Sequence, residues 1–305
     1  MSELPTASEP SLCCRLDLAM TSATLDEKRD HLLEILRGFG SAVVAFSAGV
    51  DSTVVAKAAF LACGDQAVAV TAVSPSLASG ELDQARELAK LIGIRHEIVE
   101  TDEFSNPEYL ANPGNRCYFC KTELYGHLGP LAERLGINAV VNGANVDDQG
   151  DFRPGMVAAA QSSVHSPLLD AGFTKSEVRQ LARLWHLPVW DKPATPCLSS
   201  RIAYGVEVTA ERVQKIDMAE KFVSELLGIE ELRVRLESGE LARIEVPLTQ
   251  LPLLADSQTG SLVVERFLAI GFRNVTLDLQ GFRSGSMNSA LGDREKLVSL
   301  TEVSE

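Results

Sequence analysis

The chain has 305 residues, enough for two domains, and its 45% hydrophobic and 23% charged residues are typical of a globular protein. A formal charge of −14 disfavours nucleic-acid binding, because phosphate backbones would repel such a chain. No apolar run approaches the roughly 18 residues that a membrane span needs. The first residues lack the basic and apolar regions of a secretory signal, so we expect a cytoplasmic protein without membrane association.

Strand and helix patterns alternate after a tail predicted over residues 1–24. The apolar runs Ala42–Phe46 and Ala67–Val73 have the length and composition of buried strands, and a helical pattern separates them. Thr174–Glu177 has the sequence of a capping box, which predicts the start of another helix. This order predicts an α/β fold, a doubly wound parallel sheet with helices on both faces, over residues 25–205.

The pattern changes downstream of this first domain. A long helix is predicted over Thr209–Leu227, and the alternating segments Leu232–Leu236 and Ala242–Val246 predict two half-buried strands. We therefore predict a second, smaller α+β domain over residues 206–287, followed by a tail over residues 288–305.

The segment that joins the first predicted strand to the next helix consists of small and polar residues. It contains, in order, Ser47, Ala48, Gly49, Val50, Asp51 and Ser52. Small residues allow the backbone to approach a ligand closely, and the unpaired N–H groups at a helix start bind anions. The alternative is an ordinary turn that is capped by Asp51 or Ser52.

This segment lacks both the Lys of a Walker P-loop and the glycine spacing of a dinucleotide-binding fingerprint. It resembles the pyrophosphate loop, SGGxDS, of the ATP pyrophosphatases. The resemblance implies that residues 47–52 bind ATP, which this superfamily cleaves between the α and β phosphates to adenylate a substrate oxygen. Ala48 replaces the first Gly, and because Ala tolerates a positive φ less well, the loop departs from the superfamily pattern there.

Three further segments combine cysteine, acidic and arginine side chains. They are Asn115–Lys121, which contains a CxxC pair; Asn142–Asp148, which Asp151–Gly155 follows; and Pro196–Ile202. Together with the loop they resemble the LarE family, the ATP-dependent sulfur transferases of nickel-pincer nucleotide biosynthesis. The resemblance extends from about Leu25 to Met287.

This resemblance implies that the substrate is a small nucleotide, pyridinium-3,5-biscarboxylic acid mononucleotide. ATP adenylates one ring carboxylate, and the cysteine at the position of Cys197 attacks the mixed anhydride to form a thioester. Cleavage of the cysteine C–S bond leaves a thiocarboxylate, and a single-cysteine enzyme is left with dehydroalanine. In members with a CxxC pair, three cysteines, here Cys117, Cys120 and Cys197, would hold a 4Fe–4S cluster that carries a labile sulfide.

The chemistry of the residues supports a reactive Cys197 independently of the resemblance. The thiolate is the competent nucleophile, and the nearby cations Lys192 and Arg201 would lower its pKa. The spacing of Cys117 and Cys120 fits a cluster, a disulfide or persulfide relay, half of a zinc site, or a structural pair. Cys63 ends an apolar helix, and we expect it to be an inert core thiol.

Several polar residues are candidate ligands for ATP, Mg²⁺ and the substrate. Gly143 and Asp148 are candidate ATP contacts, and the acidic residues 147, 148 and 151 are candidate Mg²⁺ ligands or ribose contacts. Guanidinium groups bind phosphate and carboxylate bidentately. The candidate substrate ligands are therefore Arg153, Arg201, Arg233 and Arg235. The alternative for these residues is a solvated loop and solvent-facing charges.

The family further implies acidic metal ligands at a subunit contact, for which Glu220 and Glu245 are the candidates, and we expect a homo-oligomer. Three other functions compete with the sulfur transferase. One is a tRNA-thiolating enzyme of the same superfamily, which the charge of −14 disfavours. Another is an amide-forming ligase such as NAD or GMP synthetase, which gives Cys197 no role. The third is a non-catalytic protein that binds nucleotide or an iron–sulfur cluster.

Overall fold

The computed structural model describes residues 23–150 and 154–283, so most of both predicted tails and the candidate residue Arg153 lie outside the described residues. Within the described ranges no helix is long and apolar enough to cross a membrane.

Four parallel strands form the first sheet, in the spatial order β3-β2-β1-β4. The strands are β1 Ala42–Ala45, β2 Ala67–Val73, β3 Arg95–Glu100 and β4 Ala139–Val141. The helices of this region are α1 Leu25–Phe39, α2 Val50–Cys63, α3 Glu81–Ile92, α4 Pro107–Leu110, α5 Arg116–Leu135, α6 Pro154–Gln161, α7 Pro167–Asp170 and α8 Lys175–Leu184.

Hydrophobic cores lie on both faces of this sheet. Ala42 and Val44 of β1 face a core that α1, α2, α3 and α8 cover, whereas Val43 faces a second core that α5 and α6 cover. Successive side chains of a strand point to opposite faces, which is why a strand buried on both faces is a continuous apolar run. The predicted doubly wound α/β fold is confirmed.

The capping box predicted at the start of α8 is present. The Thr174 side chain accepts a hydrogen bond from the Glu177 backbone, and the Glu177 carboxylate accepts one from the Thr174 backbone at 2.8 Å. Lys28 of α1 pairs with the same carboxylate at 2.7 Å. Helix α8 therefore begins at a fixed position beside the carboxyl edge of the sheet.

The second sheet has three strands in the order β5-β6-β7, with β5 and β6 antiparallel and β6 and β7 parallel. Its strands are β5 Arg233–Glu237, β6 Leu241–Glu245 and β7 Asn274–Leu277, and its helices are α9 Ala210–Leu227, α10 Leu251–Ala255 and α11 Ser257–Ile270. The two alternating segments therefore form a hairpin, as the sequence predicts. Short 3₁₀ turns elsewhere span Gly64–Gln66, Glu103–Ser105, Val146–Gly150, Leu198–Arg201 and Leu248–Gln250.

The core of the second sheet includes residues from upstream of residue 205. Tyr109 of α4, Leu198 and Ile202 are fully or almost fully buried in it. We call residues 106–116 the docking segment, because the chain that leads into the second sheet binds along it. The Val208 amide donates to the Leu110 carbonyl at 2.8 Å, as one of these contacts.

Asn112 is the central residue of the docking segment. It is fully buried and adopts a left-handed φ of 55°. Its Nδ2 donates to the carbonyls of Ile202 at 3.3 Å, Ala203 at 2.8 Å and Val206 at 2.8 Å. Its Oδ1 accepts from Arg116 at 2.5 Å. One side chain thus satisfies the backbone where the two halves of the molecule meet.

We expect Asn112→Ala to lower the free energy of unfolding by about 2–4 kcal/mol, because buried carbonyls lose their donor. Urea denaturation measures the loss. Asn112→Gly separates the two causes, since Gly accepts the positive φ but supplies no amide. Wild-type stability in the Gly variant would show that backbone conformation, and not hydrogen bonding, requires Asn at this position.

Candidate active site

The loop after β1 turns sharply into α2 and is closed by its two serines. Ser52 Oγ accepts from the Ser47 amide at 3.2 Å, lies 3.2 Å from Ser47 Oγ and donates to the Gly49 carbonyl at 3.1 Å. Ala48 has a left-handed φ of 57° and is fully buried. An Ala in this conformation costs on the order of 1 kcal/mol, so the loop holds the glycine-type geometry at an energetic cost.

Asp51, in the first turn of α2, already has partners within the protein. Its carboxylate pairs with Lys175 Nζ and accepts from Asn145 Nδ2 at 3.2 Å. Lys175 is the first residue of α8. The sequence did not identify it as a site residue, although the capping box of Thr174 and Glu177 predicts that a helix starts there. Lys175 adds a cation to the helix start where the sequence predicts an anion site.

Gly143 packs directly on this loop. A Cβ at residue 143 would lie 2.8 Å from the Ser52 nitrogen and 3.0 Å from the Asp51 carbonyl carbon, closer than real Cβ atoms approach. Asp148 Oδ2 accepts from the Asn145 amide at 3.0 Å. The loops after β1 and β4 are therefore one unit, as expected at the carboxyl edge of a parallel sheet.

Cys197 lies in an irregular stretch that we call the cysteine segment, residues 194–201. Its backbone carbonyls accept from buried guanidinium groups of four arginines. The contacts are Arg233 with Ala194 at 2.5 Å, Arg201 with Pro196 and, at 3.0 Å, with Cys197, Arg116 with Ser199 at 2.8 Å, and Arg235 with Ser200 at 3.2 Å. The Leu198 amide also donates to the Ser76 carbonyl, beyond β2, at 2.9 Å.

Two of these arginines are neutralised by carboxylates. Arg201 binds Glu220 at 3.0 Å, and Arg235 binds Glu245 at 2.8 Å. Glu245 is fully buried and also pairs with Arg243 at 2.7 Å. The two glutamates that the sequence offers as metal ligands are thus engaged in ion pairs.

Arg233 differs from these two arginines in its contacts. It is 5% exposed, its hydrogen bonds go to the carbonyls of Ala194 and Leu232, and its guanidinium lies 5.1 Å from the Phe282 ring centre. It forms no ion pair with any residue of the described ranges. Burial, followed by the neighbouring charge of Arg201, lowers the pKa of Arg233 to about 10. A guanidinium in this situation is suited to an anionic ligand.

The two cysteine-containing segments come together at this edge. Cys117 is exposed, Cys120 and Cys197 are half-buried, and all three are free thiols. Burial raises the pKa of Cys120 to about 12, and the charge of the neighbouring Cys197 adds to the increase. Between residues 23 and 283, apart from 151–153, no three His, Cys, Asp or Glu side chains are grouped to hold a metal ion. The described residues therefore show no preformed site for a single metal ion, and the three thiols are near enough for Cys117 and Cys197 to contribute to the pKa of Cys120.

Cys63, by contrast, is a structural thiol. It donates to the Leu36 carbonyl at 3.3 Å and packs against the first core, and burial raises its pKa. This environment agrees with the inert role that its sequence context predicts.

Sequence reasoning missed other polar residues around the cysteine segment. Arg116 directly precedes Cys117 and is 3% exposed, and an Arg beside the CxxC pair was the available signal. Glu103 is also 3% exposed, and its Oε1 accepts from Ser74 at 2.6 Å and Ser76 at 3.2 Å. These partners are distant in the chain, so no local pattern marks them.

We expect Gly143→Ala to slow ATP-dependent pyrophosphate release by at least about tenfold, because an ångström-scale shift of reacting groups costs one to two orders of magnitude. Gly129→Ala is the matched control, since a Cβ there meets nothing within 4 Å. In α5 the added methyl should stabilise the protein by about 0.5–1 kcal/mol. Equal rates of pyrophosphate release in the two variants would contradict a role for the contact between the two loops in this step.

Known proteins are similar to this chain over most of its length. No protein-family model matches the chain. The chain is 48% identical over 267 residues to the uncharacterized protein slr1717 of Synechocystis sp., covering 88% of this chain and 99% of that protein. It is 26% identical to a glutamine-hydrolyzing GMP synthase chain of Methanocella arvoryzae, over 62% of this chain and 66% of that relative.

A characterised relative is more informative. The chain is 36% identical over 271 residues to the pyridinium-3,5-bisthiocarboxylic acid mononucleotide synthase of Lactiplantibacillus plantarum, covering 88% of this chain and 96% of the synthase. A match of this length necessarily includes the loop after β1 and the cysteine segment. The chain belongs to the LarE family, the family of this synthase.

Proposed function

We propose that this protein is an ATP-dependent sulfur transferase that converts a carboxylate of pyridinium-3,5-biscarboxylic acid mononucleotide to a thiocarboxylate. The observation that carries the proposal is the fixed placement of Cys197, whose segment is bound by four buried arginines and by Ser76, which follows β2. The activity for which the Lactiplantibacillus relative is named supports the same substrate class.

The first step is adenylation, and the loop of residues 47–52 serves it. The amides at the start of α2 and the Lys175 ammonium bind the phosphates of ATP. Asp51, whose carboxylate pairs with Lys175 in this structure, is an oxygen ligand of the type that Mg²⁺ takes. It would hold the ion, which would offset the negative charge of the phosphates. A substrate carboxylate oxygen attacks the α-phosphorus, and pyrophosphate leaves.

The substrate phosphate or its second carboxylate binds Arg233. Its guanidinium binds the cysteine segment. Arg201 and Arg235 each form an ion pair with a glutamate, whereas Arg233 forms none with the described residues. Arg201 and Arg235 instead hold the backbone in place. Of these three arginines, Arg233 should therefore contribute most to substrate binding.

The second step transfers sulfur from Cys197. Its thiolate attacks the acyl carbon, AMP leaves and a thioester forms. Loss of the Cys197 Cα proton with cleavage of the Cβ–S bond then leaves the thiocarboxylate on the substrate and dehydroalanine in the chain. Cys117 and Cys197 lie close enough to Cys120 to contribute to its raised pKa, and no step of this scheme requires a cluster.

We further propose that the protein acts as a homo-oligomer. Apolar side chains on α10 and α11 support this, because Leu253, Leu262 and Leu268 are each about half exposed. Light scattering measures the oligomeric state directly, and a monomer at micromolar concentration would overturn this part of the proposal.

Two substitutions separate the two chemical steps. Asp51→Asn should abolish substrate-dependent pyrophosphate release, because the carboxylate for Mg²⁺ is lost while the shape is kept. Cys197→Ala should release pyrophosphate in a single turnover but form no thiocarboxylate. A pyrophosphate assay follows the first step. Mass spectrometry follows the second, as the thiocarboxylate on the substrate and as the loss of H₂S from Cys197 in the wild-type protein. Thiocarboxylate made by Cys197→Ala would contradict the assignment of the sulfur donor.

The 4Fe–4S cluster implied by the resemblance stays a prediction, and Cys117 tests it. With Cys197 as the sulfur donor, we expect Cys117→Ala to retain a single turnover per chain. Iron and sulfide counts on anaerobically purified wild type provide the second readout. Loss of both iron and activity in Cys117→Ala would establish the cluster instead.

A further inference from the structure

A buried hydrogen bond joins the docking segment to the cysteine segment. Tyr109 Oη donates to Ser199 Oγ at 2.7 Å, and these residues are separated by 90 positions in the chain. Tyr109 is 1% exposed and Ser199 is fully buried. A buried hydroxyl without a partner costs about 1–3 kcal/mol, so the pair is strongly held together.

Ser199 is the second residue after Cys197, and it is bound from two sides. Its hydroxyl accepts from Tyr109, and its carbonyl accepts from Arg116 at 2.8 Å. Both partners belong to the docking segment, which leads directly into Cys117 and Cys120. The docking segment therefore fixes the distance between Cys197 and the start of α5, the helix that contains Cys117 and Cys120.

The packing around Tyr109 makes its ring immobile. The ring lies 5.3 Å from that of Phe104, and it belongs to the same core as Leu198 and Ile202, which flank Ser199. The hydroxyl is the polar end of an otherwise apolar anchor. Removing the oxygen alone would thus leave the anchor in place and free the Ser199 side chain.

We propose that Tyr109 is a positioning residue for sulfur transfer: its hydroxyl fixes Ser199 and thereby holds Cys197 in register with the adenylated substrate. This inference rests on the proposed role of Cys197 as the sulfur donor. The backbone that precedes Cys197 is held by Arg201 and Arg233, and Leu198 is held by Ser76. Tyr109 adds a restraint at Ser199, from the docking segment that precedes α5.

Tyr109→Phe tests the proposal because it removes only the hydroxyl. In a single turnover, pyrophosphate release should stay within about twofold of wild type, while thiocarboxylate formation should fall by about tenfold or more. Ser224→Ala is the control, since it also removes a hydroxyl with a 2.7 Å hydrogen bond, to the Ile229 carbonyl, that does not involve the cysteine segment. The control should leave both steps unchanged.

A double variant distinguishes positioning from simple destabilisation. Ser199→Ala should slow thiocarboxylate formation to the same extent, and Tyr109→Phe/Ser199→Ala should be no slower than either single variant, because one interaction is lost in all three. The double variant should also recover thermal stability relative to the single variants, since no buried hydroxyl is left unpaired. Recovery of the transfer rate together with stability would overturn the positioning role.

Amide hydrogen exchange provides a readout that does not depend on the chemistry. The Leu198 and Ser200 amides are hydrogen-bonded, at 2.9 Å to Ser76 and 3.0 Å to Cys197. In Tyr109→Phe they should exchange about tenfold faster than in the control variant Ser224→Ala. Unchanged exchange, or faster exchange with an unchanged transfer rate, would overturn the proposal.

A wild type that makes no thiocarboxylate would refute the proposed function, and the exchange comparison would still test the restraint.

Discussion

Four guanidinium groups are buried around one short stretch of irregular backbone, and each keeps its charge at any physiological pH. A buried charge is unfavourable unless acceptors surround it. The carbonyls of residues 194–201 are those acceptors, assisted by Glu220 and Glu245. The positions of the guanidiniums therefore dictate the path of the backbone, and Cys197 is placed accurately although it belongs to neither a helix nor a strand.

The parallel sheet brings the two halves of the chemistry to one edge. The pyrophosphate loop follows β1, Gly143 follows β4, and Ser76, which binds the cysteine segment, follows β2. The second half of the chain contributes arginines from β5, a half-buried carboxylate from α9 and a fully buried carboxylate from β6. The proposed adenylation site thus depends mainly on one sheet, whereas the alignment of the proposed sulfur donor depends on both.

Local patterns predicted much of this arrangement. Apolar runs of strand length gave the strands that flank residues 47–52, and the Thr174 capping box gave the start of α8. Pairings between distant residues were not predictable, because periodicity carries no information about partners. The contact of Lys175 with Asp51 spans 124 positions, and that of Tyr109 with Ser199 spans 90. The alternation of a strand places Arg233 and Arg235 on the same face, and the sequence alone could show this. It could not show that, among the described residues, Arg235 forms an ion pair with a carboxylate and Arg233 does not.

The contacts of Arg233 and Arg235 also impose an order on the maturation of the protein. Their partners in the cysteine segment lie 39 and 35 positions earlier in the chain. Because chains are synthesised from the amino terminus and fold progressively as they emerge, the nucleotide-binding sheet is complete while Cys197 still lacks half of its restraints. Until β5 has been synthesised and has folded onto the cysteine segment, the backbone around Cys197 therefore lacks the two restraints that Arg233 and Arg235 supply.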